Sequence, residues 1–322
     1  MVNGAHVPRM PPERAPGRAG AAARRERAGR IACAAGFAVV AMLPWSPASH
    51  AADRFSEGLL FRVSKPGLPA SFVFGTVHLA DPRVLDLAAP VRGAFASARA
   101  YAAELGADTL VDPRLEDAEL LPAGTSLASM VGEPGFNDLA TRLVAQGVPE
   151  ATVDRLKPWV AMLSVSRRAA PTDVTTLDTH LLGLARARRM RIVSLEWVDE
   201  QIAAFDGIPM DTQVALLRHA VANRDALDAG GEAALDAWLR RDLSAIARLS
   251  DEAGRRYPAM ARHYRILAQH IITNRTVLMH YRLVLPLREG RLFIAVGASH
   301  LPGEKGLLRM LERDGYSVTR VW

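Results

Sequence analysis

The feature that most constrains this chain is its carboxyl-terminal stretch, residues 291–322, whose pattern predicts a strand, a loop, a helix and a second strand. Leu292 to Val296 is a short, unbroken apolar run that ends at Gly297. Such a run is typical of a strand buried on both faces of a parallel sheet. His300 follows in the loop beyond that strand, where open α/β sheets carry their ligand-binding groups. The stretch therefore predicts an α/β fold with a site at the end of the sheet.

A second apolar strand followed by the same histidine spacing is predicted earlier in the chain. Ser71 to Phe74 is also a short apolar run, and Gly75 and His78 follow it with the same Gly-x-x-His spacing. Two such strands predict that His78 and His300 reach one site. Taken singly, each histidine is equally well explained as a packed core residue.

Two carboxylates end apolar segments in the same way. Glu104 follows a segment that begins at Arg99, and Glu196 follows one that begins at Met190; an ordinary surface position is the alternative explanation for Glu104. With the two histidines, they form a donor set suited to Zn²⁺, Mn²⁺, Fe²⁺ or Co²⁺ sites that keep a position open for water. A metal there would polarise a carbonyl and lower the pKa of that water toward ~7, with a remaining carboxylate as general base.

The rest of the chain has mainly helical periodicity. A Pro-Gly turn joins 58–63 and 71–74 as a β-hairpin, and Asp81-Pro82 begins a helix whose apolar positions run to Phe95. Within a helical insertion from 112 to 168, Trp159 and Met162 are predicted to be core residues. Gln201 could project into the cleft. Helices are predicted over 136–146, 153–165, 177–188 and most of 211–284, and the histidines at 180, 219, 263, 270 and 280 within helical segments are interpreted as structural.

Motifs and cysteine content exclude several function classes. No His-Glu-x-x-His, Gly-x-Ser-x-Gly, P-loop or Gly-x-Gly-x-x-Gly motif occurs, which removes the common zincin, serine hydrolase and nucleotide-binding interpretations. The one cysteine, Cys33, lies in a segment predicted to be removed. The mature chain is therefore expected to have no disulfide, thiolate metal site or cysteine nucleophile.

Residues 1–52 have the composition of a signal peptide with a long basic n-region. Residues 1–30 contain seven arginines and two glutamates, Ile31 to Leu43 is apolar and uncharged, and small residues follow up to Ala51 and Ala52, where we expect cleavage. The apolar run is well short of the ~20 residues of a spanning helix, and an uncleaved anchor is the minority alternative. We therefore expect a periplasmic or secreted protein with no stable membrane span after cleavage.

Most of the formal net charge of +6 belongs to this amino-terminal segment. The mature chain, residues 53–322, is left nearly neutral, so its charge gives no support to nucleic-acid binding. Its length suits one large α/β domain with an ample core.

Seven short segments occur in a fixed order along the mature chain and match the pattern of one family. They are Phe-Gly-Thr-Val-His at 74–78, Ala-Glu-Leu at 103–105, Leu-Lys-Pro-Trp at 156–159, Leu-Asp at 177–178, Ser-Leu-Glu-Trp-Val-Asp-Glu-Gln at 194–201, Asn-Arg at 274–275 and Val-Gly-Ala-Ser-His-Leu-Pro-Gly-Glu-Lys-Gly-Leu-Leu at 296–308. As an ordered set they make the chain resemble the TraB/GumN family, which is related to the Tiki metalloproteases. The resemblance implies an α/β fold of two pseudo-symmetric lobes with a central β-sheet, a large helical insertion and one Gly-x-x-His at a strand end in each lobe.

The resemblance also implies roles for particular residues. His78, Glu104 and His300 carry over as ligands of a divalent cation, Mn, Co or Zn, or as catalytic groups. Asn274 and Arg275 carry over as cleft residues, the arginine to hold a substrate carboxylate or an oxyanion; a surface salt bridge is its alternative. Glu196 carries over as a catalytic carboxylate, either a general base or a support of the metal ligands, although Trp197 follows it where the family usually has threonine.

Two functional classes follow from this resemblance. The first is an exported, metal-dependent hydrolase, peptidase-like, that acts by metal-activated water on a peptide or envelope-component substrate. The second is a non-catalytic periplasmic protein that binds a metal, haem or an envelope component in the same cleft, in a polysaccharide or envelope process.

Overall fold

The computed structural model describes residues 54–106, 118–166 and 175–322. The predicted signal peptide, residues 1–52, and part of the predicted helical insertion therefore lie outside the described residues. In the described ranges, no helix combines the length and the apolar character needed to cross a membrane.

The described residues contain one six-stranded sheet with the order β4-β3-β5-β2-β1-β6. Its strands are β1 Leu60–Ser64, β2 Ser71–Thr76, β3 Ala100–Ala103, β4 Arg191–Ser194, β5 Leu292–Gly297 and β6 Ser317–Arg320. The four strands from β4 to β2 are parallel neighbours, whereas β1 runs antiparallel to both β2 and β6. The carboxyl ends of the four parallel strands consequently lie along one edge of the sheet. The α/β class and the predicted hairpin are confirmed.

The two Gly-x-x-His strands, β2 and β5, are direct neighbours. Thr76 is paired with Gly297 at the ends of these strands, and every residue of β5 is buried, as its apolar sequence predicts. Both motifs thus belong to one continuous sheet, and the expected division into two pseudo-symmetric lobes is not confirmed.

Helices cover the sheet and form a separate layer beside it. The α-helices of the described ranges are α1 Pro82–Leu85, α2 Ala89–Ser97, α3 Leu127–Val131, α4 Glu133–Ala145, α5 Glu150–Val153, α6 Pro158–Val165, α7 Leu177–Ala187, α8 Val198–Asp206, α9 Met210–Ala222, α10 Arg224–Leu239, α11 Leu243–Arg256, α12 Ala261–Ala268, α13 Arg275–Glu289 and α14 Leu307–Arg313. A π-helix, Gln269–Asn274, joins α12 to α13, and short 3₁₀ turns lie at Pro258–Met260 and Ala298–His300.

Two predicted helices differ from the observed ones. The helix expected from Asp81 to Phe95 is split into α1 and α2, because Pro90 favours a new helix start in the first turn of α2. The helix expected over 153–165 begins only at Pro158, because proline cannot continue a preceding helix but suits the first position of a new one; Val153 instead ends α5.

The hydrophobic core has two parts. One surrounds the sheet and includes Phe74, Tyr101 and Phe293. The other is formed among the helices and includes Trp159 and Met162, as predicted from their helical spacing. The Lys-Pro-Trp segment links α6 to α8, because Lys157 and Trp159 both donate to Asp206, the Trp159 indole at 2.7 Å.

Candidate functional site

The four predicted strand-end residues meet at the carboxyl edge of the sheet. His78 Nε2 lies 3.6 Å and His300 Nε2 lies 3.9 Å from the same atom, Glu104 Oε1. Glu196 lies beside Glu104, because its backbone N–H donates to the Glu104 carbonyl at 2.8 Å and so extends the pairing of β3 with β4. The structure thus brings His78 and His300 together beside Glu104.

The ring of His78 is oriented by a hydrogen bond between its Nδ1 and a residue of a helix. Its Nδ1 lies 2.7 Å from Asp178 Oδ2, and the Thr76 hydroxyl donates to Asp178 Oδ1 at 2.6 Å. Asp178 lies in the first turn of α7, which begins after the capping residue Thr176. Because a carboxylate only accepts, His78 Nδ1 is the donor in this contact.

His300 is held in an equivalent manner from another helix. It ends the 3₁₀ turn after β5 and is buried. Its Nδ1 lies 2.7 Å from the hydroxyl of Thr276, a buried residue in the first turn of α13. Each imidazole therefore presents Nε2 to Glu104 and Nδ1 to a separate outer partner. We call His78, His300, Glu104, Glu196 and Arg275 the cluster.

Close approach of other side chains favours glycine at the first position of both motifs. A Cβ on Gly297 would lie 2.9 Å from His78 Nε2 and 3.3 Å from Glu104 Oε1. A Cβ on Gly75 would lie 2.8 Å from Leu301 Cδ1. Gly297 also donates its backbone N–H to Glu104 Oε1 at 2.6 Å. The absence of a side chain at Gly297 thus leaves room among the three facing groups.

Arg275 is buried and contacts Glu104 through the carboxylate oxygen that faces away from the two imidazoles. Its Nη2 donates to Glu104 Oε2 at 2.8 Å, its Nε donates to Glu196 Oε1 at 2.8 Å, and Nη2 also donates to Glu196 Oε2. All three side chains are buried. The alternative of a surface salt bridge is wrong for Arg275, since the ion pairs are internal. A guanidinium committed to two buried carboxylates is also not positioned to hold a substrate carboxylate.

The other residues expected in the cleft lie apart from these contacts. Asn274 is exposed and accepts a hydrogen bond from Gln269 at 2.6 Å. Gln201 is buried, and its Nε2 has no hydrogen-bond partner in the described part of the chain. Trp197 is exposed with its ring beneath the Arg282 guanidinium, so the departure from the family's Glu-Thr leaves the Glu196–Arg275 pairing intact.

Charges in the cluster shift the pKa values of its members in different directions. Burial alone would lower the pKa of His78, but Asp178 and Glu104 raise it to about 10. Burial lowers the pKa of His300 to about 3, with Arg275 and His78 acting in the same direction. Burial acts to raise the pKa of Glu104, but the charges of His78 and Arg275 outweigh it and hold that pKa well below its usual range. Burial raises the pKa of Glu196, and the Arg275 charge opposes that rise.

The donor set has the chemistry of a divalent-cation site. Two imidazole Nε2 atoms and one carboxylate oxygen face one another, and each Nδ1 bonds to an outer partner, as is usual for metal-binding histidines. Three carboxylates, Glu104, Asp178 and Glu196, and one guanidinium, that of Arg275, take part in these contacts, so negative charge is in excess even when His78 is protonated.

The spacing is slightly wider than a formed site requires. Ligand atoms with ~2.1 Å bonds to a tetrahedral ion lie about 3.4 Å apart, compared with 3.6 and 3.9 Å for the two pairs here. Accordingly, no group of three or more His, Cys, Asp or Glu side chains within 54–106, 118–166 and 175–322 stands in a geometry that could hold a metal ion. The residues fit the ion in donor type and in their outer partners, whereas their spacing does not form a site in this structure.

The remaining described histidines lie outside the cluster. His280 Nε2 pairs with Asp314 at the surface, His219 contacts Asn223, and His263 Nδ1 lies 3.0 Å from the Thr212 hydroxyl. The contacts of these three histidines agree with their interpretation as structural residues.

The sequence does not reveal the two outer partners of the histidines. Asp178 belongs to the Leu-Asp segment, but an acidic residue in the first turn of a helix is common for electrostatic reasons alone. Thr276 directly follows the Asn-Arg segment, and only its three-dimensional contact with His300 distinguishes it from any buried helical threonine.

Fold and site together define an α/β protein with a buried His-Glu-Arg cluster at the carboxyl edge of a mixed sheet. The chain belongs to the TraB/PrgY/gumN family, whose family model matches residues 59–320. No curated protein and no solved structure matches this chain.

Proposed function

We propose that this protein is an exported, divalent-metal-dependent hydrolase with a peptidase-like mechanism. The observation that carries the proposal is that His78 and His300 turn their Nε2 atoms toward one oxygen of Glu104. Two imidazoles and a carboxylate, each fixed by an outer partner, are the ligands of hydrolytic metal sites that keep a position open.

Each residue of the cluster has a defined task in this proposal. His78, His300 and Glu104 hold the cation, Mn, Co or Zn. When bound, the cation supplies Lewis acidity to a substrate carbonyl and to water. Arg275 holds Glu104 Oε2, so that Oε1 stays turned toward the imidazoles, and Glu196 balances the buried charge of Arg275. Asp178 orients the His78 ring through Nδ1.

Exposure indicates the direction from which a substrate would arrive. The side chains of Asp178 and His78 are 28% and 15% exposed, whereas those of His300 and Glu196 are 2% and 0% exposed. The cluster is therefore accessible from the side of His78 and Asp178. A peptide or envelope component is the substrate class we propose, and the signal-like composition of residues 1–52 supports its encounter outside the cytoplasm.

Metal-reconstituted, tag-free protein tests the proposal. Wild-type protein should cleave members of a broad panel of peptides and envelope components, and a chelator should abolish cleavage. His78→Gln and His300→Gln should lose both the bound metal and the cleavage. His280→Gln is the matched control, because His280 also pairs with an aspartate but lies outside the cluster.

Two other outcomes would contradict the proposed hydrolase. Cleavage that survives chelation would reject the metal mechanism. Absence of cleavage across the panel, with ligand binding that disappears in the two histidine variants, would identify the protein as a non-catalytic binder.

A further inference from the structure

A π-helix interrupts the long helix that passes beside the cluster. Gln269–Asn274 has π geometry, and α12 and α13 continue it on either side. An α-helix advances about 100° per residue, so each residue inserted by a π turn rotates everything after it by that angle. Arg275 and Thr276 are the first two residues after the turn, and both reach the cluster. The π turn thus determines which side chains α13 presents to the site.

The Thr276 hydroxyl has one hydrogen and two well-placed neighbours. It donates to the Ile272 carbonyl at 2.7 Å, and its oxygen lies 2.7 Å from His300 Nδ1. Because the hydroxyl hydrogen is committed to a carbonyl that can only accept, the contact with His300 requires the hydrogen to be on Nδ1. His300 Nε2 is then the nitrogen with the lone pair, and it is the nitrogen that faces Glu104 Oε1.

We propose that Thr276 is a positioning residue. Its hydroxyl holds His300 as the Nδ1–H tautomer and turns Nε2 into the cluster. The π turn places this hydroxyl beside His300 Nδ1. The proposal deepens the proposed metal site, because only an unprotonated Nε2 can be a ligand. It also explains why a buried threonine stands at this point of the helix: a valine of the same shape would pack equally well but could not accept from Nδ1.

The first test determines the tautomer of His300 in the metal-free full chain from the ¹⁵N chemical shifts of its ring. The His300 signals are assigned by comparison with the His300→Asn variant. We expect a protonated Nδ1 and an unprotonated Nε2 in the wild type. Thr276→Val should shift His300 toward a mixture of tautomers and weaken the binding of Zn²⁺ or Co²⁺ alone by roughly 10- to 100-fold, the usual effect of losing an outer partner. Thr276→Ser keeps the hydroxyl and should restore both properties.

Thr212→Val is the matched control. Thr212 is also buried and its hydroxyl also contacts a histidine Nδ1, that of His263, among the helices. This variant should change the shifts of His263 and leave metal affinity unchanged.

The outcomes separate this proposal from the proposed function. A wild-type His300 protonated on Nε2, or a Thr276→Val variant with unchanged His300 shifts and unchanged affinity, would overturn the role of Thr276. If wild-type protein binds neither ion, the metal site fails, and the His300 shifts of wild type, Thr276→Val and Thr276→Ser still decide whether Thr276 sets the tautomer.

Discussion

Arg275 Nη2 donates to Glu104 Oε2 at 2.8 Å, although the two residues are 171 positions apart and both are buried. The contact leaves the other oxygen of Glu104 turned toward the two imidazoles and the Gly297 N–H. Glu196 accepts from Nε and from the same Nη2 of this guanidinium. Arg275 is therefore a fixed internal cation that sets the orientation of the cluster, and we expect substrate to contact the histidine side.

Replacing Arg275 by lysine tests this role. A lysine ammonium keeps the charge but cannot form the planar fork that joins two carboxylates. At least one buried carboxylate oxygen should lose its donor, which lowers the free energy of unfolding by about 1–3 kcal/mol and loosens Glu104. Chemical denaturation and metal titration measure the two effects.

Arg282→Lys is the control for that substitution. The Arg282 guanidinium also forms a bidentate salt bridge, with the carboxylate of Glu200, but both side chains are partly exposed. Its change should cost at most about 1 kcal/mol and leave metal binding intact. Equal effects of the two substitutions would contradict an orienting role for Arg275.

Asp178→Asn tests the support of His78. Asparagine has nearly the same shape but presents only one acceptor oxygen and no charge, so it cannot serve both Thr76 and His78 as the carboxylate does. Metal affinity should fall by roughly 10- to 100-fold, as is typical for the loss of such a partner. Calorimetric titration with Zn²⁺ or Co²⁺ measures this loss.

Asp314→Asn is the matched control, because Asp314 pairs with His280 Nε2 at 2.8 Å on the surface. It should leave affinity unchanged. Unaltered affinity in Asp178→Asn would show that His78 does not need this carboxylate.

The four strand ends could be predicted because their signal is local. A short apolar run followed by Gly-x-x-His or by a glutamate identifies both a strand and the residue beyond it. Parallel pairing then brings His78, Glu104 and His300 to one edge of the sheet, whatever their separation in the chain. This step uses only a general rule about parallel sheets and does not require any particular contact to be known.

The outer partners could not be predicted in the same way. Asp178 and Thr276 lie in helices, and their helical patterns are explained by capping and packing alone. Their contacts with His78 and His300 depend on the rotation of each helix about its axis. For Thr276 that rotation depends on the π turn at Gln269–Asn274, which has no sequence signature of the kind that marks a cap or a proline kink.

The burial of Arg275 is a tertiary effect of a similar kind. An arginine in a helix is normally exposed, and the expectation of a cleft residue follows from its position in the Asn-Arg segment. Two carboxylates from neighbouring strands enclose it instead, which the spacing within one helix does not reveal.

Asp242 should give a titratable contribution to stability away from the cluster. Its carboxylate caps α11 by accepting from the Ala245 N–H at 2.7 Å and from the Ser244 hydroxyl at 2.8 Å. Burial acts to raise the pKa of Asp242, but these hydrogen bonds and the charges of Arg248 and Arg240 outweigh it and lower that pKa below its ordinary value of 3.8. A lowered pKa in the folded state means that the stabilisation is present above the ordinary value and is lost as pH falls through the folded value.

Asp242→Ala should therefore lower the free energy of unfolding by about 1 kcal/mol at pH 7. The difference from wild type should shrink as the pH falls below 3.8. Asp242→Asn, which caps without titrating, should lose less at pH 7. Denaturant unfolding at several pH values measures all three proteins, and a deficit in Asp242→Ala that grows on acidification would contradict the assigned sign.

Gly297→Ala is the sharpest steric test of the cluster. The backbone at Gly297 has φ −50° and ψ 134°, which alanine adopts without strain, so the substitution adds one methyl group and little else. That methyl would lie 2.9 Å from His78 Nε2, 3.3 Å from Glu104 Oε1 and 3.5 Å from His300 Cδ2. At least one of these groups must move by a few tenths of an ångström or more. Small misplacements of reacting groups cost about 10²-fold in rate. If the protein is the metal-dependent hydrolase proposed above, its rate should fall by that order, and its metal affinity should fall as well.

Gly93→Ala provides the comparison, because Gly93 lies in α2 and a Cβ there would meet no atom within 4 Å. This variant should bind metal as wild type does and gain roughly 0.5–1 kcal/mol in stability from the higher helix propensity of alanine. Kinetics, metal titration and thermal unfolding of the two variants separate a blocked site from a damaged fold. If Gly297→Ala retained wild-type affinity and rate, the space in front of Gly297 would not be where the ion and the substrate meet.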